Sequence, residues 1–321
     1  MGLNAPHPPV FSVLLATRNR AEILRSALNA LLQLETNGAL TYEVIVIDNG
    51  SQDDTRAVVE AAASGASVPV RYFHEPRLGR SWALNAGLAH ASGRFLVFTD
   101  DDVRVTAAWL LGLWRCFVEE EVDAVAGRIL PLWVAQRPPW LTDTCVRSRL
   151  GCSDHGLSRI THIQRRYHWC GGNMALRREV VERVGGFDVR MIRAQDTEYF
   201  QRCVRQGVRI CYEPTALAYH QIGAERMTPD YFRQWCHRTG YYNAYLFAWR
   251  RLHLVTLFSL DWYGQTFRLA LAWLAKAVAG RPWQERFEEE LLLRERWSQW
   301  THRLALWPHW WLAVLTGRRS L

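Results

Sequence analysis

Three adjacent carboxylates, Asp100, Asp101 and Asp102, close the apolar run RFLVFTD (94–100). Like charges so close together repel, so something else must share their space. The chemistry that suits a cluster of carboxylate oxygens is a hard divalent cation, Mg2+ or Mn2+, which keeps several waters and bridges to substrate phosphates. One aspartate could cap the helix expected from about Thr106, but three cap nothing better than one. Two more polar clusters close similar apolar runs. They are Thr17-Arg18-Asn19-Arg20, and Asp48-Asn49-Gly50-Ser51 with Asp53 and Asp54 behind it.

The elements that must position these clusters are legible as an alternation. VFSVLLAT (10–17), YEVIVID (42–48), VRYFHE (70–75) and RFLVFTD (94–100) are short runs rich in β-branched and aromatic residues, the pattern of buried parallel strands. Between them RAEILRSALNALLQL, DDTRAVVEAAA and SWALNAGLAHA carry helical spacing. DAVAGRI (123–129) and VRICYE (208–213) read as further strands, and RREVVERV and DTEYFQRCVRQ as helices. The order predicts an α/β fold with an open, mostly parallel sheet flanked by helices. Ligands of such sheets bind outside the carboxyl ends of the strands, where the polar clusters fall. Residues 131–170, with Pro131, Pro138, Pro139 and Gly151, read as a long functional loop region.

Composition narrows the class. Of the residues, 49% are hydrophobic and 22% charged, which suits a globular core. The seven cysteines are odd in number and include no CxxC pair, so reduced thiols in the cytoplasm are expected. Cys152, His155, His162, His168 and Cys170 have ligand-type side chains but match no zinc spacing. The N-terminus carries no secretory pattern, and no apolar run is long enough to span a bilayer. The formal charge of +8 lies almost wholly in the last third: residues 226–321 hold 14 basic and 7 acidic residues, which leaves +7. Ten of the sixteen tryptophans lie from Trp235 onward. Such an Arg/Trp-rich helical tail either rests on a membrane surface or packs its tryptophans against the core or a second subunit, and the first is favoured here.

Taken in order, SVLLATRNR, VIVIDNGSQDDT, GRSWALNAGLAHASGRFLVFTDDD, CGGNMALRREVVERVGGFD and AQDTEYFQRCVRQG resemble the family 2 glycosyltransferases of the GT-A fold over about residues 10–220. The resemblance implies a nucleotide-diphosphate sugar donor, with UDP the expected nucleotide, and Mn2+ or Mg2+ as cofactor. It implies that Thr17, Arg18 and Asn19 flank the base, that Asp48 binds the uracil or ribose side, and that Gly79, Arg80 and Asn85 line the nucleotide. Asp100 and Asp102 match the outer carboxylates of the family's DxD motif, with Asp101 between them, and the sequence leaves open which pair touches the ion. His220 matches a position where many relatives supply a third metal ligand. Gly171 and Gly172 fit a turn that lets the backbone approach the donor sugar, with Asn173 as a polar contact. The family sets a carboxylate at a helix start, often as Glu-Asp. Here Gln195-Asp196 stands there, so Asp196 is the expected general base of an inverting transfer and Glu198 the substitute.

These readings divide the chain into a catalytic domain at 1–226 and a helical region at 227–321. Within the former, 10–130 is the nucleotide-binding part and 131–226 the acceptor part. The expected reaction moves a single sugar to a hydroxyl of an envelope glycan or a lipid-linked acceptor, on the inner face of the cell membrane, with no nucleic-acid partner. QRRYHW (164–169) resembles the QxxRW signature of processive synthases, but it precedes the catalytic aspartate and no spanning helices follow. Two competing readings are weaker. A nucleotidyltransferase would want a glycine in the phosphate loop after strand one, and ATRNRAEIL has none. A catalytically silent sugar-nucleotide-binding or scaffold protein is favoured only by the missing Glu before Asp196.

Overall fold

Every residue of Phe11–Thr17 is buried, and so is every residue of Tyr42–Asp48. These form β1 and β2, and burial on both faces explains why their sequences are continuous apolar runs instead of alternating ones. The computed structural model describes residues 8–161, 169–249 and 260–315. His162, His168 and most of the QRRYHW segment lie outside the described residues.

The first of two compact units comprises residues up to 134 together with 151–222. Strands β3 (Val70–His74), β4 (Phe95–Asp100), β5 (Val103–Val105), β6 (Ala124–Trp133), β7 (Asn173–Arg177) and β8 (Ile210–Ile222) join β1 and β2 in one sheet of order β3-β2-β1-β4-β7-β6-β8-β5. The β3-β2-β1-β4 half is wholly parallel, with Thr17 aligned on Asp48 and Ala16 on Asp100. Polar strand ends therefore share one rim. In the other half β6 and β8 are parallel, whereas β7 runs antiparallel between β4 and β6, and β5 antiparallel to β8. The mostly parallel α/β expectation holds. The sequence reading had taken the segment at β7 for a turn and had no strand at β5.

Helices cover both faces. On one, Val13, Leu15, Val44, Val46 and Val97 pack with Leu24 and Leu28 of α1 (Ala21–Leu31), Val58 and Val59 of α2 (Thr55–Ser64), and Leu110 and Leu113 of α4 (Trp109–Glu119). On the other, Leu14, Ile45, Ile47, Leu96 and Phe98 pack with Leu84 of α3 (Arg80–His90), Val180 and Val184 of α6 (Arg178–Val184), and Tyr199 and Phe200 of α7 (Gln195–Arg205).

The second unit comprises 135–150 and the residues from 223 onward. It holds α5 (Asp143–Arg149), α8 (Pro229–Trp249), α9 (Leu260–Val278) and α10 (Trp283–Leu315). Residues 135–150 come from the stretch read as a loop. They bring Trp140 within 5.2–5.8 Å of the rings of Phe232, Trp283 and Phe287, a set of edge-on and tilted pairs that anchors the excursion.

A candidate nucleotide-sugar site at the sheet rim

The acidic trio divides: Asp101 and Asp102 share one arginine, and Asp100 pairs with another. Asp101 is buried; it accepts the Thr17 hydroxyl at 2.8 Å and Arg20 Nη1 at 2.8 Å. The same Arg20 nitrogen reaches Asp102 at 3.0 Å, and Asp102 lies 3.3 Å from His220 Nε2. Asp100, at the end of β4 and partly exposed, pairs with Arg80 at the first turn of α3. Burial raises the Asp101 pKa above the usual carboxylate range, and the neighbouring Asp102 adds to this against the pull of Arg20 and Thr17. Burial also opposes the Arg80 charge, but Asp100, helped by Asp196 and Asp101, outweighs it and raises the guanidinium pKa. Much of the repulsion is thus relieved by two arginines. Arg20 was visible in the Thr17–Arg20 cluster, yet only its three neighbours had been assigned to the site.

Asp196 reaches the same place from the other half of the sheet. It occupies the first turn of α7, where the helix dipole favours an anion. Its Oδ2 accepts the Gly171 N–H at 3.0 Å and its Oδ1 the Thr197 N–H at 2.8 Å. Ala194, just before the helix, has φ 54°, a left-handed conformation that a side chain resists and that recurs at functional sites. Gly171 and Gly172 connect the two carboxylates. A Cβ on Gly171 would lie 3.2 Å from Asp196 Cβ and 3.6 Å from Arg80, and one on Gly172 would lie 3.1 Å from Asp100 Oδ2. These glycines let the backbone approach the acidic side chains themselves. Next to them, burial pushes the Cys170 thiol up, and Asp196 and Asp100 push it further.

The remaining predicted residues divide into rim and frame. Arg18 is exposed at the rim. Asn19 ties two rim loops together: its N–H donates to Ser51 Oγ at 2.9 Å and its Oδ1 accepts the Gln52 N–H at 2.7 Å. Gly79 has φ 133°, which only glycine adopts readily, and its N–H donates to Asn49 Oδ1 at 2.8 Å. Asp48 is buried in the turn it initiates, with the Ser51 N–H and the Tyr72 hydroxyl each at 2.7 Å. Burial, and then the hydrogen bond to Asp48, push the Tyr72 hydroxyl up to about 12.

Three of the expected residues have partners within the protein. Asn85 Nδ2 donates to Phe187 O and its Oδ1 accepts the Phe187 N–H, both at 2.8 Å, which fixes α3 to the 186–188 turn. Asn173 is buried between Trp109 Nε1 and the carbonyls of Arg128 and Ala216, at 2.8–3.0 Å, and joins neighbouring elements there. Glu198 is engaged by Arg202, whose guanidinium also holds the carbonyls of Val184 and Gly186. That pair braces the turn between α6 and α7.

Asp100 and Asp102 carry carboxylate oxygens and His220 an imidazole, donors of the kind a divalent cation takes; in this structure Arg80 pairs with Asp100, and Arg20 and His220 lie against Asp102. Among the described residues, no three His, Cys, Asp or Glu side chains converge to hold an ion unaided. A cation that takes one or two protein ligands and completes its shell with phosphate oxygens and water, as Mg2+ and Mn2+ do, would suit such donors.

The sequence profile of glycosyl transferase family 2 matches residues 12–185, more than half the chain. The pre-mycofactocin glycosyltransferase of Mycobacterium tuberculosis is 28% identical over 245 residues, covering 74% of this chain but 48% of that protein, so the chain spans about half the length of that relative. The succinoglycan biosynthesis protein ExoM of Rhizobium meliloti is 26% identical over 228 residues, 70% of this chain and 71% of that one. Among solved structures, the mannosyltransferase PcManGT from Pyrobaculum calidifontis, in complex with GDP-Man and Mn2+, superposes with a TM-score of 0.56. It shares 20% identity over 98% of this chain and 77% of that chain, a likeness of fold. Sheet order, rim chemistry and profile agree: the chain belongs to glycosyl transferase family 2 and has the GT-A fold.

Proposed function

We propose that the chain is a divalent-cation-dependent, inverting glycosyltransferase. It moves one sugar from a nucleotide-diphosphate sugar, with UDP the expected nucleotide, to a hydroxyl of an envelope glycan or lipid-linked acceptor at the inner face of the cell membrane. The observation that carries this reading is the convergence of Asp100, Arg80 and Asp196 around the Gly171–Gly172 backbone.

In this reading Thr17, Arg18, Asn19 and Asp48 border the nucleotide, and Arg80 faces the negative charge of the diphosphate. Asp100, Asp102 and His220 would hold the cation, which would supply charge neutralisation for the departing diphosphate. Asp196 accepts the proton of the acceptor hydroxyl. The hydroxyl oxygen forms its bond to the anomeric carbon from the face opposite the donor phosphate. The anomeric C–O bond breaks with its electron pair leaving on the nucleotide diphosphate, so configuration inverts in one displacement. Two backbone N–H groups orient Asp196 while its remaining lone pairs stay available for a proton.

A second reading, a silent sugar-nucleotide binder, has one observation behind it. Gln195 stands where the family often has Glu, and its buried Oε1 has no hydrogen-bond partner among the described residues. Asp196→Asn separates the two. On the transferase reading, sugar transfer and donor hydrolysis collapse while nucleotide binding by calorimetry persists. A wild-type chain that binds nucleotide sugars but never turns them over, with Asp196→Asn indistinguishable from it, would establish the silent binder.

A further inference from the structure

Helix α9 turns its apolar side outward. The face that meets α10 is polar and aromatic. Arg296 donates to Trp262 O at 3.1 Å, to Thr266 Oγ1 at 2.9 Å and to Gln265 Oε1 at 2.9 Å. Lys276 donates to Glu285 O at 2.8 Å and pairs with Glu289, and Arg286 lies over the Trp273 ring. The outward face carries Tyr263, Phe267, Leu271, Leu274 and Val278, spaced four, four, three and four residues apart, so that they form one stripe along the helix. Phe267 is 64% exposed, Leu271 49%, Leu274 51% and Val278 80%. No charged residue interrupts the stripe. In water, a helix packed through its polar side with an apolar stripe left outside is the reverse of the stable arrangement.

We propose that the Tyr263–Val278 stripe of α9 is the surface on which this chain lies against an anionic lipid bilayer. Charge selects this occupant. Residues 226–321 hold 14 basic and 7 acidic residues, a net +7, of which the helices that form and border the stripe, residues 260–315, hold 7 and 6; anionic headgroups attract that charge, and a second copy, carrying the same charge, repels it. Arg268 is exposed one residue beyond Phe267, and Arg281, also exposed, follows the end of the helix. Among the described residues no helix is long and apolar enough to cross a membrane, which fits α9 lying in the headgroup plane with its apolar side down. The inference deepens the proposed function and rests on it only in naming why a lipid-linked acceptor would be within reach.

The test is flotation of the full chain with phosphatidylglycerol/phosphatidylcholine vesicles, with pure phosphatidylcholine vesicles as the control. The wild type is expected to rise with the anionic vesicles and to stay largely behind with the neutral ones. The double substitution Phe267→Glu/Leu274→Glu should reduce the floated fraction by about tenfold or more. Both positions are exposed, so its melting temperature and its donor turnover without vesicles should match the wild type. The proposal is overturned if the wild type never floats, if the double variant floats equally well, or if the substitutions dissolve a dimer and leave flotation unchanged. A wild type that floats but never turns over any nucleotide sugar contradicts the transferase reading and leaves the lipid surface standing.

Discussion

In the half of the sheet built from β1 to β4, Glu43, Asp48 and Asp101 are each tied by side chains. Glu43 takes the hydroxyls of Ser12 and Ser92 at 2.6 Å and Arg71 at 2.9 Å, Asp48 takes Tyr72, and Asp101 takes Thr17 and Arg20. In the half that carries β7 and α7, Asp196 is held by two backbone N–H groups at a helix start and faces Arg80 and Asp100 across a pair of glycines. The contrast sets carboxylates tied by side chains against one held by backbone donors alone. Hydroxyl and guanidinium partners fix a buried charge in place. Backbone donors aim a carboxylate and leave it room to take up a proton.

The contrast breaks most visibly at Asp196. Asp196→Asn should lower sugar transfer by about 10²–10⁴-fold, the range for a lost general base, and leave the melting temperature near that of the wild type. A comparable loss of transfer in Asp101→Asn without loss of stability would erase the distinction. Next in size, Asn173→Ala removes a buried amide that makes three hydrogen bonds, and should cost about 2–4 kcal/mol in urea unfolding with the nucleotide affinity of the folded fraction unchanged.

Glu43 sharpens the framework side through pH. Burial works against its charge, but hydrogen bonds from Ser12, Ser92 and Arg71 outweigh burial and hold its carboxyl below the usual range. A carboxyl depressed in the folded state stabilises fully above its unfolded pKa, about 4.5, and loses that contribution as pH falls through the folded value. Glu43→Gln should therefore cost about 2 kcal/mol at pH 7, and the gap to the wild type should narrow in melts below pH 4.5. The smallest effect is expected at Ala194. Ala194→Gly relieves the left-handed backbone before Asp196 and should raise stability by about 0.5–1 kcal/mol, with any loss of transfer reporting how firmly that strain aims the carboxylate.

The same division governs what the sequence made legible. Strands β1 to β4 are buried on both faces, so their apolar runs announce them, and the polar residues that close them lie together because parallel strands share one rim. β7 is five residues, Asn173–Arg177, preceded by two glycines and composed of residues with little strand preference. Its place between β4 and β6 is set by tertiary pairing, which local pattern does not encode. β5 has three residues and pairs with β8 alone. Residue types drew attention to Asp100, Asp196 and the glycine pair, whereas the partners that hold Asn85 and Asn173 lie far away in sequence and no local pattern shows them. Arg20 was passed over for the same reason, since its two aspartates are more than eighty residues away. In the second unit, periodicity pointed to helices and tryptophan and arginine content to a membrane surface or to packing, but only the structure reveals that α9 presents its apolar side outward.

The most direct measurement is isothermal titration of the folded chain with UDP and GDP sugars, with and without Mn2+, repeated on Asp100→Asn. The expected result is binding that tightens about tenfold or more with the cation, in line with a shared ion and diphosphate site, and an Asp100→Asn variant that keeps its fold but loses the cation's increment. Well-folded protein that binds neither cation nor nucleotide sugar at millimolar concentration, or that binds the nucleotide equally with Asp100 intact or replaced, would contradict the assignment of the rim as the donor site.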